Sequence, residues 1–239
     1  MFYYELHMHS REGSACAVSS IHEMIRCYAA AGFQGAVITN HFVRGNTAVD
    51  RSLPWKELVR QYAGAYREGL ATARELDFDL LFGVEEGWGK GKEFLVYGIE
   101  PEFLLERPFL NRASLEVWSR EVRSVGGFLA FAHPFRDRRY ITDPDEIPPL
   151  ELADGVEVYN RGNLPGENRR AEEVFSGSTV CIAGSDSHGD TLIAPWGIAL
   201  PYRVGSSAQL AGALHSREFS LHIPGYPAEN GCTEGNAGV

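Results

Sequence analysis

The stretch Tyr3-Tyr4-Glu5-Leu6-His7-Met8-His9-Ser10 sets the reading of the whole chain. Its apolar and aromatic residues predict a first strand over Tyr3–Met8, and the strand runs directly into a His-x-His pair. Residues two apart on a strand point to the same side, so His7 and His9 can reach one ion together. A helix is predicted next, over Ser20–Ala31, with Ser19 or Ser20 as N-cap, Glu23 completing a capping pattern and Gly32 just past the end. Ala36–Thr39 then reads as a buried strand.

The same alternation continues. A long helix is predicted over Trp55–Leu76 behind Pro54. Strands follow over Leu80–Glu85 and Phe94–Gly98, and a helix over Leu115–Val125 stops at Gly126-Gly127. Further strands are predicted over Phe128–Ala132, Gly155–Tyr159 and Val180–Ala183. Helices are predicted over Asn168–Phe175 and Ala208–Ser216. Apolar strands alternating with helices imply an α/β protein with a mostly parallel sheet, and about seven strands in one series point to a barrel. Residues 1–225 are expected to form one domain, with a Gly-rich tail over 226–239.

Composition narrows the function. The chain has 239 residues, 44% of them hydrophobic, with a formal net charge of −10. That is enough apolar material for a full core and no basis for non-specific nucleic-acid binding. No apolar run approaches the roughly 20 residues that span a bilayer. The first residues show no signal-peptide pattern, and Cys16, Cys27, Cys181 and Cys232 form no CxxC pair, so reduced thiols in a cytoplasmic protein are expected.

The chemistry-bearing residues collect at strand ends. His7, His9, His41, His133 and His188 each follow a predicted strand, as do Glu85 and Asp186. In an α/β barrel those ends build the active site, so residues distant in sequence converge there. Any one of these is readily an ordinary surface or turn residue; together they point to a metal centre. Imidazoles with carboxylates suit Mn, Fe or Zn rather than Ca or Mg. A carboxylate can bridge two such ions about 3.5–4 Å apart. His22, His215 and His222 lie in helical or tail contexts and read as ordinary residues.

Five motifs, Leu6-His7-Met8-His9-Ser10, Thr39-Asn40-His41, Gly83-Val84-Glu85, Ala132-His133-Pro134 and Ser185-Asp186-Ser187-His188, together resemble those of the polymerase and histidinol phosphatase (PHP) family of metal-dependent phosphoesterases. They run in family order over nearly the whole chain. The resemblance implies a distorted (β/α)7 barrel of TIM-like type and two or three divalent ions. One ion would take His7, His9, Glu85 and Asp186. A second would share Glu85 and add His133, and a third would use His41 and His188. This chain departs from the pattern twice. Glu93 stands in the strand Phe94–Gly98 region where many members carry a ligating His, and it is expected to complete the second ion; the alternative is a surface ion pair with Lys90 and Lys92. In the loop after His9, Ser14 or Ala15 stands at a usual ligand position, with Glu12 or Cys16 as the substitutes at hand.

The expected activity is hydrolysis of a small phosphate ester or nucleotide by a metal-activated hydroxide. Asp186 and His188 are the expected catalytic groups as well as ligands. Arg136 and Arg161 are candidate phosphate contacts, because a guanidinium binds phosphate in two-pronged fashion. Asn160 is a candidate for orienting substrate, and Tyr159 and Trp196 for stacking on a ring. The same centre would also suit hydrolysis of a C–N or carboxyl ester bond, and some PHP domains bind metal without catalysis.

Overall fold

A computed structural model of the chain describes residues 1–191 and 195–226. Ten strands and seven α-helices occur among them. The strands are β1 (Phe2–Met8), β2 (Gly35–Ile38), β3 (Asp79–Phe82), β4 (Val84–Gly89), β5 (Lys92–Tyr97), β6 (Phe128–Phe131), β7 (Gly155–Asn160), β8 (Val180–Gly184), β9 (Gly197–Leu200) and β10 (Ser220–His222). The helices are α1 (Ile21–Ala30), α2 (Trp55–Tyr62), α3 (Gly64–Glu75), α4 (Pro101–Leu105), α5 (Leu115–Ser124), α6 (Pro165–Phe175) and α7 (Ser207–Ser216).

The fold class is α/β, as the sequence predicts, but the hydrogen-bonded ladders do not close into a barrel. The strands form two five-stranded mixed sheets, β10-β9-β1-β2-β3 and β4-β5-β6-β7-β8. Within them β1-β2-β3 and β6-β7-β8 run parallel, while β4, β5, β9 and β10 pair antiparallel. Among the described residues, the backbone ladders of the two sheets are linked by isolated bridges, Met8 with Ser187 and His41 with Glu85.

The predicted single strand over Leu80–Glu85 is two strands in different sheets. The break falls at Gly83, where a Cβ would lie 2.6 Å from Val37 Cγ1 and 2.9 Å from the Val96 carbonyl oxygen. Only a residue without a side chain lets the chain cross there between β2 and β5. The predicted helix over Trp55–Leu76 is likewise two, α2 and α3, with the break at Ala63, ahead of Gly64. The capping pattern at α1 is present as read: Ser20 accepts from Glu23 N–H, and the Glu23 carboxylate accepts from Ser20 N–H. The antiparallel strands β9 and β10 and the short α4 are absent from the sequence reading, since each spans five residues or fewer and carries no periodic signal of its own.

Alternation along the strands sorts the core. Tyr4, Leu6, Val37, Leu81, Leu95, Tyr97, Phe128, Ala130 and Ile182 fill the space between the sheets together with Leu210, Ala211 and Leu214 of α7. α7 sits at the end where β6 begins, so it closes that end, and the opposite end is left to the histidines and carboxylates. α1 and α3 cover the outer face of the first sheet through Ile21, Met24, Ile25 and Ala73. α5 and α6 cover the second through Trp118, Val122 and Phe175. Among the described residues no helix is long and apolar enough to cross a membrane. Apart from Tyr226, the expected tail lies outside the described residues, as does Cys232.

Candidate metal centre

Each ligand candidate stands at or beside one end of a strand. His7 is on β1, His9 follows it, His41 follows β2, Glu85 is on β4, Glu93 on β5, His133 follows β6, and Asp186 and His188 follow β8. The structure brings all eight together. Glu85 is fully buried at the middle. Its Oε1 lies 3.3 Å from His7 Nε2 and 3.1 Å from His133 Nε2; its Oε2 lies 3.3 Å from His9 Nε2 and 2.8 Å from His41 Nδ1. Asp186 Oδ1 lies 3.4 Å from His7 Nε2 and 3.1 Å from His9 Nε2. Glu93 reaches His41 Nδ1 with Oε1 at 3.2 Å and His133 Nε2 with Oε2 at 3.7 Å. Lys90 pairs instead with Asp143 and Glu146, and Lys92 donates to backbone carbonyls, so Glu93 has no surface pair with either. The neighbouring Glu86 turns away and accepts from the Arg44 and Gly87 amides.

The hydrogen bonds around the rings dictate where their lone pairs point. Glu157 can only accept, so His7 Nδ1–H donates to it at 2.9 Å and His7 Nε2 faces the centre bare. The Ser10 amide identifies Asn40 Oδ1 as an oxygen, at 2.8 Å. Ser14 Oγ therefore donates to Asn40, His9 Nδ1–H must donate to Ser14, and His9 Nε2 is bare as well. His188 Nδ1–H donates to the Asp186 carbonyl at 2.9 Å, freeing its Nε2. His7 Nε2, His9 Nε2, His41 Nδ1 and Glu85 Oε2 are buried and have no hydrogen-bond partner. The 2.8 Å approach of His41 Nδ1 to Glu85 Oε2 is thus close without being directed as a hydrogen bond. Buried polar atoms are rarely orphaned; a group of them facing one space fits a cation that each can ligate.

Four overlapping triads among the described residues each bring three donor atoms within 4.8 Å of one another: His7-His9-Glu85, His7-His133-Asp186, His41-Glu85-Glu93 and His9-His41-His188. The donor set fits divalent transition ions. Without them the centre holds protons. Burial pulls the His7 imidazole down, but Glu157, Asp186 and Glu85 together hold it well above its usual range. His41 is raised in the same way, chiefly by Glu85. Burial pushes Glu85 and Asp186 up, yet His41 and His7 hold Glu85, and His7 and Arg136 hold Asp186, well below the usual carboxylate range.

Backbone strain marks the same place. His133 has φ +28° and Asp186 φ +52°, conformations that cost β-carbon residues of order 1–3 kcal/mol and persist where surroundings impose them. Gly184 is required here: a Cβ would lie 2.6 Å from both Glu157 Oε1 and His7 Cβ.

The substrate candidates separate. Arg136 is buried and its guanidinium is engaged on all sides, with Asp186 Oδ2 at 2.7 Å, Asn160 Oδ1 at 2.8 Å and Asn163 Oδ1 at 2.8 Å. Asn160 also donates to Glu157 at 2.8 Å. Arg161 is exposed beside them. Tyr159 and Trp196 are buried and pack edge-on against Tyr226. Of the loop substitutes, Glu12 accepts from the Ile21 amide at the start of α1, whereas Cys16 contacts His188 and His41. Burial raises the Cys16 thiol, but hydrogen bonds with His188 and His41 outweigh it and bring it down to about 6.

Three residues that position the centre stand outside the candidate ligands. Glu157 sits mid-strand between Val156 and Val158, which pack outward, so its carboxylate turns inward. A charged residue inside the apolar run Gly155–Tyr159 is the signal that would have found it. Glu5 is fully buried, accepts from the His7 and Ser185 amides and from Tyr28, and is pushed by burial up to about 7. Ser14 orients His9. His22, His215 and His222 contact Thr72, the Gly127 carbonyl and Tyr3, away from the centre.

Fold and donors define a protein of PHP-like fold with a buried His–carboxylate centre suited to divalent ions. No family model and no curated protein matches the chain. Solved structures do. A two-domain protein from Bacteroides vulgatus containing a predicted PHP-like metal-dependent phosphoesterase is 15% identical over 93% of this chain and 64% of its own, with a TM-score of 0.62. A lesion-specific endonuclease from Pyrococcus furiosus is 9% identical over 92% of this chain and 57% of its own, with a TM-score of 0.59. An amidohydrolase from Chromobacterium violaceum, solved with sulfate and no metal, is 16% identical over 95% of this chain and all of its own, with a TM-score of 0.57. The chain shares their fold, and the PHP resemblance of its motifs extends to its architecture.

Proposed function

We propose that this protein is a metal-dependent phosphoesterase acting on a small phosphate ester or nucleotide. The observation that carries the reading is the set of bare nitrogens on His7, His9 and His188, each turned inward by an acceptor behind its ring and converging on Glu85 and Asp186. A structural metal site is closed by four ligands; eight donors gathered around the central Glu85 carboxylate exceed that need and fit catalysis. His7, His9, Glu85 and Asp186 would hold one divalent ion, and Glu85, Glu93 and His133 a second, with Mn, Fe or Zn as the candidates. When bound, such ions polarise a phosphoryl oxygen and supply a hydroxide nucleophile at neutral pH.

The protein's own groups do the rest. Arg136 holds Asp186 from behind and so orients its Oδ1 toward His7 and His9. The His188 side chain is 29% exposed and Glu93 11%, whereas His7, His9 and Glu85 are sealed, so substrate reaches the centre from the His188 side. There the free His188 Nε2 is placed to take up a proton and pass it to a leaving oxygen, and the exposed Arg161, next to Asn160 in the chain, is the candidate phosphate contact. A net charge of −10 favours a small substrate over a nucleic-acid backbone.

Hydrolysis of a C–N bond is the second reading, because the amidohydrolase neighbour spans almost this whole chain. Turnover of p-nitrophenyl phosphate, p-nitrophenyl acetate and a p-nitroanilide by the Mn-, Fe- and Zn-loaded protein separates the two. Phosphate ester turnover abolished by His9→Ala supports the proposal. Turnover of the anilide alone replaces it with the second reading, and no turnover with metal bound points to a binding domain.

A further inference from the structure

Asp186 presents its Oδ1 to His7 and His9 from a backbone at φ +52°, in the left-handed region that β-carbon residues keep only where their surroundings impose it. Those surroundings are buried hydrogen bonds to both of its neighbours. On one side the Ser185 amide donates to Glu5 Oε1 at 2.9 Å, and Ser185 Oγ accepts from the Trp196 amide at 2.8 Å. On the other side the Ser187 amide donates to the His7 carbonyl at 3.3 Å, and the Ser187 carbonyl accepts from the His9 amide at 2.9 Å. Ser187 Oγ meets the Tyr28 hydroxyl at 2.8 Å.

Tyr28 is fully buried on α1, the helix on the outer face of the first sheet. Its hydroxyl also reaches Glu5 Oε2 at 2.6 Å, a length typical of a hydroxyl donating to a carboxylate. A phenol has one hydrogen; given to Glu5, it leaves the phenol oxygen to accept from Ser187 Oγ–H. One atom thus joins β1, through Glu5, to the loop after β8, through Ser187. Glu5 holds the His7 and Ser185 amides on its other oxygen. The tie falls where the two sheets are linked by the isolated bridge between Met8 and Ser187. Glu5 belongs to none of the donor triads among the described residues, so the tie acts from behind the centre.

We propose that Tyr28 is a positioning residue for the metal centre: by joining Glu5 to Ser187, its hydroxyl holds Asp186 in the turn that aims its carboxylate at His7 and His9. This rests on the metal-dependent reading above. A ligand fixed beforehand by its surroundings gives up less freedom when the ion binds. Without the hydroxyl, Ser187 is free to turn and Asp186 relaxes from its left-handed backbone, which carries Oδ1 away from His7 and His9. The ion held by His7, His9, Glu85 and Asp186 then weakens, while the ion held by Glu85, Glu93 and His133 keeps its donors.

The test is calorimetric titration of the metal-stripped full chain with Mn2+ and with Zn2+ against a competing chelator. The proteins are wild type, Tyr28→Phe, Ser187→Ala, the double variant and Tyr4→Phe. Tyr4 is the control, because its buried hydroxyl is bonded to Asp79 and Val204 and its loss perturbs the fold alone. Expected are two binding steps in wild type, of which Tyr28→Phe weakens one by about 10-fold, the lower end of what the outer partners of a metal site usually cost, and leaves the other unchanged. Ser187→Ala weakens the same step. The double variant binds as Tyr28→Phe does, since its serine hydroxyl had already lost its partner. Tyr4→Phe lowers the urea midpoint and leaves both steps intact. If Tyr28→Phe binds both ions as tightly as wild type, or loses both steps equally as a loosened fold would, the brace is overturned and the metal reading stands. An additive loss in the double variant overturns the route through Ser187. Should Tyr28→Phe fail to fold, Ser187→Ala decides alone, and binding like that of wild type overturns the brace. No bound metal in wild type overturns both readings.

Discussion

Glu157→Gln replaces one oxygen by an amide nitrogen at nearly constant volume, in a residue that touches no proposed ion. Its carboxylate accepts from His7 Nδ1–H at 2.9 Å, from the His133 amide at 3.1 Å and from Asn160 Nδ2 at 2.8 Å. A glutamine keeps one acceptor. If its oxygen stays with His133 and Asn160, its NH2 faces His7 Nδ1; the reverse orientation sets a donor against two donors and is worse. The NH2 therefore stays on His7, which answers by shifting its proton to Nε2, the atom that must offer a lone pair to the ion. Loss of a charge-assisted hydrogen bond costs about 1.5–3 kcal/mol, and disturbing a carboxylate behind a ligating His typically weakens metal binding about 10–100-fold. Expected is a Kd raised by that factor for the ion held by His7, with the circular dichroism of the fold retained, measured by Mn2+ or Zn2+ calorimetry against a competing chelator. A variant that binds as tightly as wild type would refute the assignment of the His7 proton.

Glu93→Ala should lower metal content and turnover together, while Glu93→His keeps both and shifts preference from Mn toward Zn; unchanged metal analysis in the alanine variant would return Glu93 to a purely structural place. Gly184→Ala forces a Cβ to within 2.6 Å of Glu157 Oε1 and His7 Cβ, so metal content should fall even if the chain folds; a variant with full metal content would show that the strand end can shift. Arg136→Met takes the guanidinium from Asp186 Oδ2 and leaves the buried carboxylate to His7 and His9 alone; breaking a buried pair costs up to about 3–5 kcal/mol, read as a lowered urea midpoint; a midpoint like that of wild type would mean that the imidazoles compensate Asp186. The pH dependence of the metal-free protein has two limbs. Glu85 and Asp186 are depressed, so their contribution is present above the ordinary values of 4.5 and 3.8 and is lost as pH falls through their lowered ones. His7 and His41 are raised, so theirs is present below 6.5 and is lost as pH rises through their elevated values. Urea unfolding of chelated protein should therefore show greatest stability between 4.5 and 6.5, with metal uptake releasing protons and strengthening above that window; stability still rising through neutral pH would contradict the raised imidazoles.

The candidate ligand set was legible in the sequence because each donor is local to one end of a strand. A strand followed by His, Glu or Asp can be read from a few residues, and the α/β alternation says that such ends converge. All eight donors named from the chain lie at the centre, and the N-cap of α1 is where Ser20 and Glu23 place it. Glu157 was missed because a single buried carboxylate in an apolar strand looks like an interruption until its partner, 150 positions earlier, is known.

Strand pairing and side-chain direction come from the three-dimensional fold. Local pattern gives strands but no register, so it does not reveal that Gly83 carries the chain from one sheet to the other or that β9 and β10 add antiparallel edges. A series of parallel strands suggests closure, whereas closure depends on hydrogen bonds between residues far apart in the chain, and among the described residues the two sheets are linked by the isolated bridges Met8–Ser187 and His41–Glu85. The surroundings of Arg136 and of the loop are decided in the same way. Arg136 is a charge that reads as free in sequence and is spent on Asp186, Asn160 and Asn163 in space. Ser14 and Cys16 are two residues apart, yet one turns its hydroxyl to the back of His9 and the other its sulfur to His41 and His188. Side-chain direction on a loop is set by what the loop is tied to, and those ties, Asn46 and His188, lie outside any window from which the loop itself can be read.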